Sequence, residues 1–167
     1  MVAYAVNASG LANDPNKYTP NGLPTSADTL SIGAFTLTIP SGYTLDVGAI
    51  TMTGTGVGAR SQITINGGGK LKQNSSMTLN AYNRIHWSGG GIAEWEVLNN
   101  QAITHTAQSG SNLNNYISND GATTLKLYGP VGTTTVISSN GILDINSTLP
   151  NASLIVTGIG FKFGGGF

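Results

Sequence analysis

The sequence predicts an all-β fold: a parallel β-helix (solenoid) with an N-terminal cap and a β-rich C-terminal region. Three observations carry that expectation. The first is internal repetition. Leu37, Ile39, Gly42 and Leu45 return as Ile63, Ile65, Gly68 and Leu71, each pair 26 residues apart. Ile50 and Met52 find Met77 and Leu79 at a separation of 27, and residues 63–69 (ITINGGG) recur 22 residues on as 85–91 (IHWSGGG). Repeats of this length are those of a solenoid. The second is alternation inside each copy, as in Phe35-Thr36-Leu37-Thr38-Ile39, which makes period-2 strands the local unit. The third is glycine at Gly42, Gly48, 67–69 and 89–91, where tight corners are needed. One winding above the next places side chains about 4.8 Å apart, so Leu37 over Ile63 and Ile39 over Ile65 are expected to form apolar ladders. The alternative compatible with the same alternation is a β-sandwich of similar hairpins.

Composition narrows the function. Of 167 residues 8% are charged and the formal net charge is zero, which argues against nucleic acid, because binding phosphate needs clustered Lys and Arg. An apolar content of 39% is too high for a disordered chain. With no cysteine, neither a disulfide nor a thiolate metal site can staple the fold, and two histidines make a zinc site improbable. No cofactor is expected. No run approaches the roughly 20 apolar residues of a membrane span. The opening MVAYAVN lacks the charged and apolar regions of a secretory signal. A chain of exposed β type without an export signal is expected of a virion protein, made in the host cytoplasm and released by lysis. Removal of a signal from a longer precursor would give the same start.

In chain order, residues 1–29 read as the cap, since Asn13-Asp14-Pro15-Asn16, Thr19-Pro20-Asn21-Gly22 and Leu23-Pro24-Thr25-Ser26 are successive turn signals. Leu11, Tyr18 and Leu23 are the expected plugs over the first winding. Asp28, just before the first repeat strand, is expected to accept hydrogen bonds from nearby amides and close a corner. Residues 30–98 are the coils. Within them Asp46 is expected to be solvated, and the glycines at 54, 56 and 58 mark a loop. No helix follows that loop, so it is not a phosphate cradle.

The run Asn13-Asp14-Pro15, Tyr18 and 21–32 (NGLPTSADTLSI), followed by 37–42 (LTIPSG), resembles the opening of G8-like right-handed β-helix domains of phage structural and bacterial surface proteins. In that pattern an Asn-Asp-Pro turn leads to an aromatic residue, a Gly-x-Pro-Thr-x-x-Asp corner and the first coil strands. The resemblance covers about residues 10–55, with Leu11 and Tyr18 where tryptophans are commoner. It implies a fold and no catalytic residue.

Residues 82–98 hold the densest chemistry: Tyr82, Arg84, His86, Trp87, Glu94, Trp95 and Glu96. If Ile85, Trp87, Trp95 and Val97 point inward, alternation throws Arg84, His86, Glu94 and Glu96 outward, facing one another. Glu94 and Glu96 would then lie about 6.6–7 Å apart on one strand face, near a glycosidase separation, although a charge-balanced surface is the commoner outcome. Trp87, Trp95, Tyr82 or Tyr116 could serve as sugar platforms. His105 has no metal-binding companion nearby. Residues 99–121 are polar and are expected to form a loop that breaks the coils, at a site open to a subunit contact. Strands return in 122–167, where an antiparallel cap is expected, and the tail offers Phe161, Phe163 and Phe167 for docking on its own fold or on a neighbouring subunit.

No convincing nucleophile, metal cage or cofactor loop emerges, so a non-enzymatic structural protein is expected. The leading expectation is a bacteriophage virion component, an exposed capsid decoration protein or a tail fibre or spike module. It would assemble as a homo-oligomer, preferably a trimer, and dock on other virion proteins. The alternatives are a glycan-binding adhesin module, with a host surface glycan as partner, and a polysaccharide lyase or hydrolase built on Glu94 and Glu96.

Overall fold

A computed structural model describes residues 1–56, 58–79 and 82–97, together with the backbone of the strands at 102–105, 117–119, 123–128, 134–139, 143–144, 153–158 and 161–162. The chain is a parallel β-solenoid of about four turns. The strands are β1 (Ala3–Val6), β2 (Gly10–Leu11) and β3 (Tyr18–Thr19), then the first full winding β4 (Thr29–Ile32), β5 (Thr36–Ile39) and β6 (Thr44–Val47). The second winding is β7 (Ala49–Met52), β8 (Ser61–Asn66) and β9 (Lys70–Gln73), and the third is β10 (Met77–Leu79), β11 (Asn83–Ser88) and β12 (Gly91–Val97). The fourth is β13 (Ala102–His105), β14 (Ile117–Asn119) and β15 (Thr123–Tyr128), followed by β16 (Thr134–Ser139), β17 (Leu143–Asp144), β18 (Ser153–Gly158) and β19 (Phe161–Lys162).

Each winding contributes one strand to each of three stacks. Sheet A runs β3-β1-β4-β7 and its side is continued by β10-β13-β16-β18; sheet B is β2-β5-β8-β11-β14; sheet C is β6-β9-β12-β15. The registers are those the repeats announce. Leu37 lies on Ile63 and Ile39 on Ile65, Leu45 on Leu71, and then Ile63 on Ile85 and Ile65 on Trp87. All of these side chains are fully buried. Alternation explains why: a strand on a curved stack sends every second residue to the interior, and burying each Leu or Ile there contributes about 1.5–3 kcal/mol. The β-sandwich alternative is thereby set aside.

Glycine sets the corner between sheets B and C. Gly42 and Gly68 adopt φ of 76° and 82°, in the left-handed region, and the Gly42 amide donates to the Gly68 carbonyl at 2.9 Å. At Gly67 a Cβ would fall on the carbonyl oxygen of Gly90 in the winding above, so backbone approach, not φ, excludes a side chain there. This corner is longer by two residues in the third winding. That is why Leu71 carries Trp95, 24 positions on, after the repeat of 22 on sheet B.

The structure departs from expectation at both ends. The first residues extend the ladder before any cap: Tyr4 stacks on Leu30 and Gly10 on Leu37, in parallel pairing. Only β3 turns back, antiparallel on β1, to cover that edge. Asp14 caps the short 3-10 turn Pro15–Lys17 by accepting from the Asn16 amide at 3.0 Å, and this turn reverses the chain. Of the three expected plugs Tyr18 is buried, its hydroxyl donating to the Ala12 carbonyl at 2.7 Å and its ring edge-on to Tyr4. Leu11 and Leu23 are instead 47% and 40% exposed, because Leu11 pairs with the outward Thr38, and Val6 and Ala12 fill the interior in their place. Within 99–121, β13 and β14 pair in parallel with β10 and β11, so the ladder continues where a break was expected. The C-terminal strands also pair in parallel, β16 with β18 and β17 with β19, and not as an antiparallel cap.

One repeat pair behaves differently. β7 and β10 are in contact on the same side, yet the hydrogen-bonded sheet stops between them. Here the side chain of Asn83 stands in for ladder partners. Its Nδ2 donates to the Met52 carbonyl at 2.9 Å and its Oδ1 accepts from the Gly54 amide at 3.2 Å. One winding below, Ser61 Oγ donates to the Ile32 carbonyl at 2.7 Å and accepts from the Thr53 amide at 3.1 Å. Ser61 and Asn83 are in register and buried, a polar seam at the corner between sheets A and B.

Candidate functional surfaces

Because the interior is filled, chemistry is confined to the outward residues of three sheets, and the sheets differ. Sheet C carries a charge ladder. Thr44, Lys70, Glu94 and Lys126 occupy one column, and Asp46, Lys72, Glu96 and Tyr128 the next. Lys72 Nζ lies 3.2 Å from Asp46, which also accepts from Asn74 Nδ2 at 2.6 Å, so Asp46 is partnered and not simply solvated. Lys70 Nζ lies 2.6 Å from Glu96 and 3.9 Å from Glu94. Both glutamates point outward, as alternation requires, and Lys70 reaches both. Arg84 and His86 do not face them: these two belong to β11 on sheet B, since the glycine corner turns the chain between them and Glu94. The two glutamates and Lys70 form an ion network on the outer surface.

The two tryptophans are not platforms. Trp87 and Trp95 are both 0% exposed, in the inner columns above Ile65 and Leu71. Trp95 Nε1 donates to the buried Gln73 Oε1 at 3.1 Å, while Trp87 Nε1 has no hydrogen-bond partner among the described residues. Burial follows from the position that also made them conspicuous: they replace the aliphatic residues of earlier copies. Tyr82 is half-buried at the turn into β11, where its carbonyl accepts from the Ser61 amide at 3.2 Å. Tyr116, Phe163 and Phe167 lie outside the described residues. The backbone at Phe161 pairs with Leu143 and that at His105 with Leu79 and Ser139; their side chains also lie outside the described residues.

Among the described residues the outward side of sheet A carries no charge. Ala3, Thr29 and Ala49 form one column and Ala5, Ser31 and Thr51 the next, with Thr78 in the following winding. Where the sheet is interrupted, a cleft of about 250 Å³ opens between Ile50, Thr51, Met52, Ser76, Thr78 and Asn83, a lining without an ionisable group. Sheet B presents Thr36, Gln62 and Arg84 in one outward column and Thr38, Thr64 and His86 in the next. Arg84 Nη2 lies 3.5 Å from His86 Nδ1, and Gln62 Nε2 donates to Thr64 Oγ1 at 2.7 Å. Burial and the nearby charge of Arg60 hold the Arg84 guanidinium below its usual pKa.

Asp28 does what its position announced. It is 7% exposed and accepts from the amides of Val2 and Thr25, at 2.7 and 3.0 Å, and from the Thr25 hydroxyl at 2.7 Å. These bonds, that of Val2 foremost, hold its carboxyl below the ordinary aspartate pKa. The role is structural, tying the first strand to the corner before β4. Among the described residues no three His, Asp or Glu side chains gather in a way that could hold a metal ion. No family model, curated protein or solved structure matches the chain.

Proposed function

We propose that the chain is a structural protein of a bacteriophage virion, an exposed capsid decoration protein or a tail fibre or spike module. It acts by assembling into a homotrimer and docking on other virion proteins, without catalysis. The observation that carries the reading is the chemical division of the outer surface. Sheets B and C bear charges, whereas the outward side of sheet A bears only Ala, Thr and Ser across the described windings. Depletion of charge marks the centre of protein interfaces, and three solenoids with such a side can bury it about a common axis. The turn pattern resembling that of phage and surface β-helix domains points the same way. A rigid ladder of parallel strands, stapled by no cysteine, suits a spacer that transmits position along a particle.

The test is the mass in solution. Light scattering at micromolar concentration is expected to give three copies for the wild type and one folded copy for Thr51→Lys with Thr78→Lys. A monodisperse wild-type monomer that also fails to bind capsid or tail proteins would overturn the reading.

A further inference from the structure

The interruption of sheet A leaves backbone groups without ladder partners. Sheet A ends at β7, and successive residues of a strand turn their N–H and C=O to opposite edges. The amides of Ala49 and Thr53 donate to the carbonyls of Asp28 and Ile32 in the winding below, at 3.2 and 2.9 Å, so the backbone groups of Ile50, Met52 and Gly54 face upward, toward β10. Asn83 answers two of them, the Met52 carbonyl and the Gly54 amide. The Ile50 amide, the Ile50 carbonyl and the Met52 amide are left, with no hydrogen bond among the described residues. Backbone donors and acceptors of folded chains are nearly always paired, by protein, water or ligand.

Ile50 and Met52 line the cleft of about 250 Å³ that opens between β7 and β10. The cleft reaches the interior: these two side chains keep 6% and 5% exposure, whereas Ile32, beside Met52 on β4, keeps none. Thr51 and Thr78 stand exposed at the rim. An occupant is offered a donor, an acceptor and a second donor from the backbone, apolar surface beneath and hydroxyls at the mouth.

That lining limits the occupant. It holds no ionisable side chain, so a carboxylate or an ammonium would lose its water without gaining a counter-charge. A hydrocarbon would leave the three backbone groups unpaired. A further strand does not fit, since β7 and β10 come within 8 Å at Cα while two ladder spacings take about 9.6 Å. At about 30 Å³ per molecule the space exceeds what one water fills, yet it falls short of the roughly 300 Å³ at which sites for drug-sized ligands begin. A small neutral amide matches: its carbonyl accepts from the Ile50 or Met52 amide, its N–H donates to the Ile50 carbonyl, and a methyl on it rests against the two apolar side chains. A sugar ring carrying that amide meets the hydroxyls of Thr51 and Thr78.

We propose that the cleft between β7 and β10 is a binding site for the acetamido group of an N-acetylated amino sugar, held by the backbone of Ile50 and Met52. The site goes beyond the assembly reading and does not rest on it, although both concern the side of sheet A.

The experiment is calorimetric titration of the full chain with oligomers of N-acetylglucosamine, of glucose and of glucosamine, equal in length. Only the acetylated oligomer is expected to bind. In an isotope-labelled sample it should shift the amide resonances of Ile50 and Met52 more than those of Ala49 and Thr53, whose bonds run to the winding below. Thr51→Tyr, which sets a ring over the mouth, should weaken binding about tenfold or more. Ala5 is exposed in the column of Thr51, two windings below, so Ala5→Lys leaves the lining intact while charging the proposed trimer side; it should be monomeric and bind at least as tightly as the wild type. Light scattering on the same samples keeps the two readings apart, because a monomeric wild type that binds counts against the trimer alone. Tryptophan fluorescence reports folding, and Thr78→Tyr takes the place of Thr51→Tyr should that variant not fold. The proposal is overturned if neither the wild type nor Ala5→Lys binds, if Thr51→Tyr binds unchanged, if Ala5→Lys loses as much as Thr51→Tyr, or if the Ile50 and Met52 amides do not shift at saturation. It is equally overturned if the glucose or glucosamine oligomer binds as tightly as the acetylated one.

Discussion

Asn83 offers a direct test of how the windings are held together where the sheet is interrupted. Replacing it with Ala removes the donor to the Met52 carbonyl and the acceptor for the Gly54 amide, both on buried residues. An unpaired buried polar group costs about 1–3 kcal/mol, so the substitution should destabilise by about 2–6 kcal/mol. With a urea slope of about 1–3 kcal/mol per molar, the unfolding midpoint should fall by about 1 M or more. Both tryptophans of the chain, Trp87 and Trp95, belong to the same winding as Asn83, so their fluorescence reports the affected region directly. Contacts in a solenoid are confined to neighbouring windings, so the loss should be seen first by this probe and less by far-ultraviolet dichroism. Thr38→Ala, on the outward side of sheet B, is the control and should stay within about 0.5 kcal/mol. If Asn83→Ala unfolds within that same margin of the wild type, the side chain is not bridging the windings and the account of the interruption is wrong.

Two further outcomes follow from the same geometry. Gly67→Ala should destabilise by about 3 kcal/mol or more, the upper end for overpacking, because the obstacle is the Gly90 backbone and cannot rotate away; a thermal melt within 1 °C of wild type would contradict the close approach. Asp28, whose folded pKa is depressed, contributes stability that is fully present above its unfolded pKa of about 3.9 and is lost as pH falls through the lower folded value. Acidification should therefore lower the melting temperature of the wild type more than that of Asp28→Asn, and parallel declines would refute the assignment.

The inward and outward sides of each strand, and the stacking of one copy on the next, were legible in the chain. Leu37, Ile63 and Ile85, or Leu45 and Leu71, recur at offsets that a winding of three short strands demands, and apolar alternation allows one choice of side. The corner at Asp28 was legible in part: an acid before a strand has amides such as that of Thr25 within local reach, whereas the bond from Val2, 26 residues away, needed the fold. Less could be read of Trp87 and Trp95. Their spacing places them inward, but only the closed interior shows that nothing of either ring is left for a ligand.

What only the tertiary structure decided is which outward residues share a surface. Corner length determines the sheet on which a strand falls, and corners are made of glycines whose number says little about the direction they turn. Thus Arg84 and His86 part from Glu94 and Glu96 across one bend, Lys70 comes from an earlier winding to hold both carboxylates, and Arg60 meets Arg84 from another. The buried seam of Ser61 and Asn83 was equally hidden, because a polar residue at the start of a strand looks like a turn until the carbonyls it must satisfy, some 29 to 31 residues earlier, are in place. Periodicity is a property of neighbours along the chain and survives in the sequence; the meeting of remote side chains depends on where each bend delivers the next strand.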